Sequence, residues 1–77
     1  MHTASQLQDR LVRALVRTVG GSQRRWRICL GPVQVRDRAA YSHCNWTVTP
    51  SGTAREIAEI EQLLDTFCLD HPHASAD

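Results

Sequence analysis

The stretch from Tyr41 to Leu69 constrains the fold more than any other, because a strand pattern, a break and a helix pattern follow one another. Residues 41–49 alternate between two faces, as a strand does. The apolar face carries Cys44, Trp46 and Val48. Pro50 cannot donate a ladder hydrogen bond and Gly52 accepts the dihedrals of a corner, so the strand is predicted to stop there.

A long helix is predicted directly after this break. Thr53 and Glu56 are spaced as a capping box, in which the threonine hydroxyl accepts from the Glu56 amide and the carboxylate accepts from the Thr53 amide. The residues that follow repeat with helical spacing. The apolar stripe consists of Ile57, Ile60, Leu63, Leu64, Phe67 and Cys68.

A first helix is predicted over residues 5–19, with Thr3 or Ser5 as its cap and Gly20 after its end. A second alternating run follows, with Trp26, Ile28 and Leu30 on one face. The alternation changes parity at Gly31-Pro32, which is either a hairpin turn or a bulge that returns the next valines to the same face. We prefer the bulge, and hence one strand over residues 26–35 and a hairpin loop over 36–40.

These elements predict one small α+β domain spanning residues 1–77, with order α-β-β-α, or α-β-β-β-α if Gly31-Pro32 is a turn. Two helices would pack on one face of an antiparallel hairpin sheet. Residues 5–70 are expected to be ordered and 71–77 to be a frayed tail. The predicted core consists of Leu7, Leu11, Leu15, Val19, Trp26, Ile28, Leu30, Val33, Val35, Cys44, Trp46, Val48, Ile57, Ile60, Leu64 and Phe67.

The three cysteines are odd in number and widely spaced, which argues against a disulfide framework and predicts a cytoplasmic protein. Arginines interrupt the apolar segment at the N-terminus, so no signal peptide is expected, and no apolar run is long enough for a membrane span. A chain of 77 residues buries a thin core, and a homodimer is one candidate state because a second copy would cover apolar surface that the first cannot.

Charge is polarised along the chain. Residues 24–38 carry five arginines against one aspartate, whereas residues 55–77 carry six acidic residues against one arginine. We expect the basic segment and the polar face of the next strand to form an open sheet surface that binds a partner. Its candidate binding residues are Arg25, Arg27, Arg36, Arg38, Tyr41, His43 and Asn45.

Arginine and tyrosine anchor protein interfaces, and basic residues beside rings and amides also suit single-stranded nucleic acid. A protein partner or self-association is the leading expectation, with nucleic acid second and no membrane or small-molecule cofactor. No catalytic constellation is expected, and the Cys and His spacings do not predict a metal site. His43 and Cys44 are adjacent in a strand and point to opposite faces, so they do not form a catalytic pair.

The order α-β-β-β-α with a short sheet resembles the double-stranded-RNA-binding fold, a plan shared by HicA-type ribonuclease toxins of similar size. In that family a histidine after serine, early in the sheet, acts in RNA cleavage, and Ser42-His43 matches this pair. Tyr41 stands where the family has glycine, and the family's lysine-rich surface is absent. The resemblance covers these two residues and implies, as an enzymatic alternative, RNA cleavage with His43 as general base.

The leading hypothesis is therefore a non-enzymatic adaptor or regulatory module that binds a macromolecule through the arginine-bearing sheet face. The alternatives are the ribonuclease and a structural subunit of a larger assembly.

Overall fold

Three helices and four two-residue strands make up the part of the chain that the structure, a computed structural model, describes: residues 2–37, 39–40 and 43–76. This mixture of helix and strand agrees with the α+β class, whereas the predicted arrangement of a sheet with two helices differs. The elements in order are β1 (His2–Thr3), α1 (Ala4–Thr18), α2 (Gln23–Leu30), β2 (Gln34–Val35), β3 (Trp46–Thr47), α3 (Ala54–Asp70) and β4 (Ala74–Ser75).

Helix α1 confirms the sequence prediction to within one residue at each end. Thr3 is the N-cap: its hydroxyl accepts from the Gln6 amide at 3.2 Å, and the Gln6 side chain accepts from the Thr3 amide at 3.0 Å. This reciprocal pair satisfies two amides that would otherwise lack helical partners. The stripe of leucines at positions 7, 11 and 15 is buried, as predicted.

Helix α2 replaces the first half of the strand predicted over residues 26–35, of which only Gln34–Val35 is a strand, and the predicted bulge at Gly31-Pro32 is the end of this helix. Ser22 caps it by accepting from the Arg25 amide at 3.0 Å. Trp26, Cys29 and Leu30 are buried together at helical spacing, whereas Ile28, a predicted core residue, is 61% exposed. The apolar residues Trp26 and Leu30 suit either period, and packing selects the helical one, which places Cys29 rather than Ile28 in the core.

Helix α3 begins as the capping box predicts. The Thr53 hydroxyl accepts from the Glu56 amide at 3.1 Å, and the Glu56 carboxylate accepts from the Thr53 amide at 2.9 Å. Ile60 is fully buried, and Leu64 and Phe67 pack partly buried against the core. Among the described residues, neither α3 nor any other helix has the length and apolar composition to cross a bilayer.

The antiparallel pair is much shorter than the predicted hairpin. Strand β2 pairs with β3 only through Gln34↔Thr47 and Val35↔Trp46. Tyr41 and Ser42, at the start of the predicted second strand, lie outside the described residues. With so little sheet to cover, the three helices pack on one another instead. The buried apolar core consists of Leu7, Leu11, Val12, Leu15, Trp26, Cys29, Leu30, Val33, Trp46, Val48, Ile60 and Ala74.

Two long-range connections were not expected from the sequence. Residues 74–75 of the predicted frayed tail form β4, which pairs in parallel with β1, and Ala74 is buried. Cys44 and Cys68 form a disulfide with their Cα atoms 5.6 Å apart, so the expectation that the cysteines stay unpaired is wrong for these two. Pairing of β1 with β4 brings the two ends of the described chain together, and the disulfide joins the loop before β3 to the last turns of α3.

Candidate functional site

Two of the predicted binding arginines are occupied by carboxylates. Both lie on α2 rather than on a sheet face. Arg25 donates from Nε and Nη2 to the two carboxylate oxygens of Glu56, each at 2.9 Å. Arg27 donates from Nη2 to Asp9 Oδ1 at 2.6 Å. These pairs join α2 to α3 and to α1, and they reduce the positive charge that α2 can offer to a partner.

The other predicted binding residues do not assemble into one surface with Arg25 and Arg27. Arg36 is exposed after β2, and its Nη2 donates to Gln34 Oε1 at 3.3 Å. His43 is exposed in the loop before β3. Arg38 and Tyr41 lie outside the described residues.

Asn45, predicted on the solvent face, is 1% exposed and belongs to the interior. Its side-chain Nδ2 donates to the carbonyls of Arg36 at 3.0 Å and Ala74 at 2.9 Å, and its Oδ1 accepts from the Ala74 amide at 2.7 Å. Both N–H groups of this buried amide are used within the protein and its oxygen has a partner, so the side chain stabilises the structure and is not part of an open binding surface.

A different basic surface forms on α1. Arg10, Arg13 and Arg17 are exposed and line one groove of about 520 Å³. Their spacing of three and four residues puts them on one helical face. We call this feature the α1 groove; its lining consists of His2, Gln6, Asp9, Arg10, Arg13, Ala14, Arg17 and Phe67.

The three arginines of the α1 groove have no carboxylate close to them among the described residues. Within the described part of the chain, no carboxylate lies within 4.0 Å of the three groove guanidinium groups. The groove's own acidic residue, Asp9, is bonded to Arg27 instead. Guanidinium groups offer flat, bidentate donors that match carboxylate and phosphate oxygens, so the groove is suited to an anion.

Three rings meet at the end of the groove nearest Arg10. The ring centroids of His2 and His71 are 4.8 Å apart in an edge-to-face arrangement, and those of Phe67 and His71 are 5.6 Å apart. We call His2, Phe67 and His71 the ring cluster. Desolvation lowers the pKa of His2, and the nearby charges of Arg10 and His71 lower it further, so the His2 ring favours its neutral form.

The pairing of the two terminal strands and contacts from residues 45 and 46 hold the ring cluster in position. Pairing of β1 with β4 fixes His2 opposite Ala74. The indole Nε1 of Trp46 donates to the His71 carbonyl at 2.6 Å, and the Asn45 amide donates to the Pro72 carbonyl at 3.0 Å. The loop before β3 therefore sets the path of the segment that carries His71.

A second, smaller cavity of about 310 Å³ adjoins the ring cluster and is lined by His2, Asp70, His71, Pro72 and His73. Its three histidines suggest a metal site at first sight. Among the described residues, however, no group of three His, Cys, Asp or Glu side chains has a geometry that could hold a metal ion.

The α1 groove was not expected from the sequence, although one signal was present. The arginines at positions 10, 13 and 17 follow helical spacing within a helix that was predicted correctly. No protein-family model, curated protein or solved structure matches the chain. The candidate site is therefore defined by its geometry alone: beside a cluster of rings lies a row of arginines that have no carboxylate within 4.0 Å in the described ranges.

Proposed function

We propose that the protein is a non-enzymatic binding module that engages an anionic macromolecular partner through the α1 groove. The observation that carries the proposal is the row of three exposed arginines without a carboxylate within 4.0 Å among the described residues. Arg25 and Arg27 of α2, by contrast, each have a carboxylate partner. We keep the adaptor hypothesis from the sequence, but we assign the binding surface to α1 and not to the predicted sheet.

Local contacts in the groove explain binding of an anion better than attraction by the overall charge of the protein does. Net charge is only +1, so long-range attraction of anions by the whole protein is weak. A local row of guanidinium groups, in contrast, binds through directed contacts whose strength depends on position. Loss of arginines from the groove should therefore matter more than loss of arginines elsewhere.

Calorimetric titration with inorganic polyphosphate tests this proposal. The variant Arg13→Gln/Arg17→Gln removes two groove charges, and we expect its affinity to fall at least tenfold. The matched control, Arg24→Gln/Arg55→Gln, removes two exposed arginines outside the groove, with the same change in net charge. We expect the control to retain affinity within about twofold.

Equal loss of affinity in both double variants would show charge attraction without a site and would overturn the proposal. Absence of polyphosphate binding by the wild type, even at low salt, would overturn it as well. Thermal melts of both variants check that the fold is kept, because exposed helix positions tolerate glutamine well.

The enzymatic alternative is RNA cleavage with His43 as general base, and the side chain of His43 is exposed. If the protein cleaves RNA through this side chain, labelled RNA incubated with wild type is cut and His43→Ala leaves it intact. Cleavage by both proteins would remove His43 from that role.

The cytoplasm remains the compartment that we propose from the sequence, and the Cys44–Cys68 pair provides its test. Reducing systems keep cytoplasmic thiols reduced, whereas oxidising compartments preserve disulfides. Alkylation during rapid acid lysis, followed by mass spectrometry, reports the state of the pair in the cell. A fully oxidised pair would contradict the cytoplasmic proposal.

A further inference from the structure

The α1 groove and the ring cluster together point to one class of ligand. We infer that the groove binds single-stranded nucleic acid, with phosphates along Arg10, Arg13 and Arg17 and one base against the rings of His2 and Phe67. This inference rests on the proposed function, and it adds the identity of the anion and the role of the rings.

The row of arginines is long enough to contact several phosphates of one nucleic-acid segment. A helix rises 1.5 Å per residue, so the guanidinium-bearing positions 10 and 17 are separated by roughly 10 Å along α1. A short segment of single strand spans this distance, and the long, flexible arginine side chains can adjust to the spacing of its phosphates. Each of the three arginines can therefore meet a different phosphate of one short segment.

The ring cluster supplies flat stacking surfaces, which a ligand made of phosphates alone would not use. Phe67 is half-buried: it packs against the core on one side and lines the groove on the other. His2 lines the same groove and stands edge to face with His71. Flat rings beside cations are the composition of single-strand binding surfaces, since every base has a face that stacks.

The protonation state of His2 supports stacking. Desolvation lowers the pKa of His2, and the neighbouring charges of Arg10 and His71 lower it further, which favours the neutral form of the ring. A neutral imidazole offers an uncharged planar surface to a base. The stacking surface therefore lies at one end of the row of arginines, beside Arg10.

Duplex nucleic acid and acidic peptide fit the groove less well. Bases in a duplex are stacked and paired, so they cannot reach the ring cluster without being extruded. An acidic peptide can satisfy the arginines but has no base to place on Phe67. Only a single strand uses both ends of the site.

The test compares labelled single strands of about ten nucleotides, the matched duplex, an acidic peptide of glutamates, and inorganic polyphosphate, by fluorescence anisotropy and competition. We expect the single strand to bind most tightly. The logarithm of its affinity should fall with the logarithm of salt concentration with a slope of about −2, since three phosphates are contacted.

Two kinds of variant separate the two ends of the site. Arg13→Gln/Arg17→Gln should weaken binding of both oligonucleotide and polyphosphate and flatten the salt dependence. Phe67→Leu keeps an apolar side chain and should weaken only the oligonucleotide, by about tenfold, the effect of losing one stacked base. Phe67→Tyr keeps a ring and should restore affinity to within about threefold of the wild type.

His2→Leu provides a ring deletion outside the core, so a folding defect of Phe67→Leu cannot obscure the result. Equal binding of polyphosphate and oligonucleotide, with Phe67→Leu and His2→Leu neutral for both, would overturn the inference and leave the proposed function intact. Tighter binding of the duplex or the peptide would also overturn the inference. Failure of every anion to bind would overturn the proposed function itself.

Discussion

The side-chain amide of Asn45 pairs with both backbone groups of Ala74. Its Oδ1 accepts from the Ala74 amide at 2.7 Å, and its Nδ2 donates to the Ala74 carbonyl at 2.9 Å. The side chain thus takes the place of a neighbouring strand for one residue of β4. Because Ala74 is also the register partner of His2, this contact connects the loop before β3 to both chain termini.

Asn45→Ala should destabilise the fold by about 2–4 kcal/mol. The change removes three hydrogen bonds and leaves the buried Ala74 amide and carbonyl without their side-chain partner. Urea unfolding, followed by tryptophan emission, measures the free energy. Gln62→Ala, an exposed change on α3, is the control and should stay within about 0.5 kcal/mol of the wild type. A similar value for Asn45→Ala would contradict the role assigned to this amide.

Reduction of the Cys44–Cys68 disulfide should lower the free energy of unfolding by about 3 kcal/mol. The bond closes a loop with a sequence separation of 24 residues, and it restricts the unfolded chain accordingly. The urea midpoint with and without reductant measures the effect. The variant Cys44→Ser/Cys68→Ser should show the lower urea midpoint both with and without reductant. If reductant lowers the midpoint of this variant as well, the loss of stability does not come from the disulfide.

The thiol of Cys29 should be unreactive in the native protein, and thiol titration measures this. This residue is the free cysteine, it is buried, and desolvation raises the pKa of its thiol. We expect native, oxidised protein to react very slowly with an alkylating reagent, because the thiolate is the reactive form. Denaturation without reductant should expose one thiol per chain, and denaturation with reductant should expose three. Three fast thiols in the native protein would contradict both the disulfide and the burial of Cys29.

Gly52→Ala should destabilise the protein more than Gly20→Ala. Both glycines have positive φ, +111° and +95° respectively, so alanine is strained at either position by about 1–2 kcal/mol. At Gly20 a new Cβ meets nothing within 4 Å, whereas at Gly52 it comes within 2.6 Å of Glu56 Oε1 and 3.0 Å of Cys29 Sγ. Thermal unfolding of the two variants measures the difference. Equal costs would show that the Glu56 carboxylate moves aside freely.

Stability should fall in acid as the Glu56 carboxylate becomes protonated. Hydrogen bonds from Arg25, and then from the Thr53 amide, lower the pKa of Glu56 from 4.5 to about 2. A lowered carboxyl pKa contributes stability that is full above the unfolded value and is lost as pH falls from 4.5 towards 2. Urea midpoints across this range should fall more steeply for the wild type than for Glu56→Gln.

The matched control for this pH experiment is Glu61→Gln, which changes an exposed carboxylate later on α3. It should keep the steep acid dependence of the wild type. A wild-type profile that runs parallel to that of Glu56→Gln would show that the bidentate pair with Arg25 contributes nothing to folding.

The sequence by itself determined the helices α1 and α3, because the interactions that define them are local. The capping boxes at Thr3 and Thr53 use residues three positions apart, and the apolar stripes repeat every three or four residues. The three groove arginines share this local origin. Their common face follows from helical spacing alone.

Only the tertiary structure decided the state of residues 23–30 and the location of the binding site. Trp26 and Leu30 fit a strand or a helix equally well, and packing of Cys29 into the core selected the helix. The arginines that looked available, at positions 25 and 27, are bound by carboxylates 31 and 18 residues away. Since one of those carboxylates is Asp9, the same contact engages the acidic residue of the α1 groove, and no carboxylate of the residues that the structure describes lies within 4.0 Å of the groove arginines. Periodicity and composition do not encode pairings between residues so far apart in the chain, and these pairings determine which charges remain free to bind a partner.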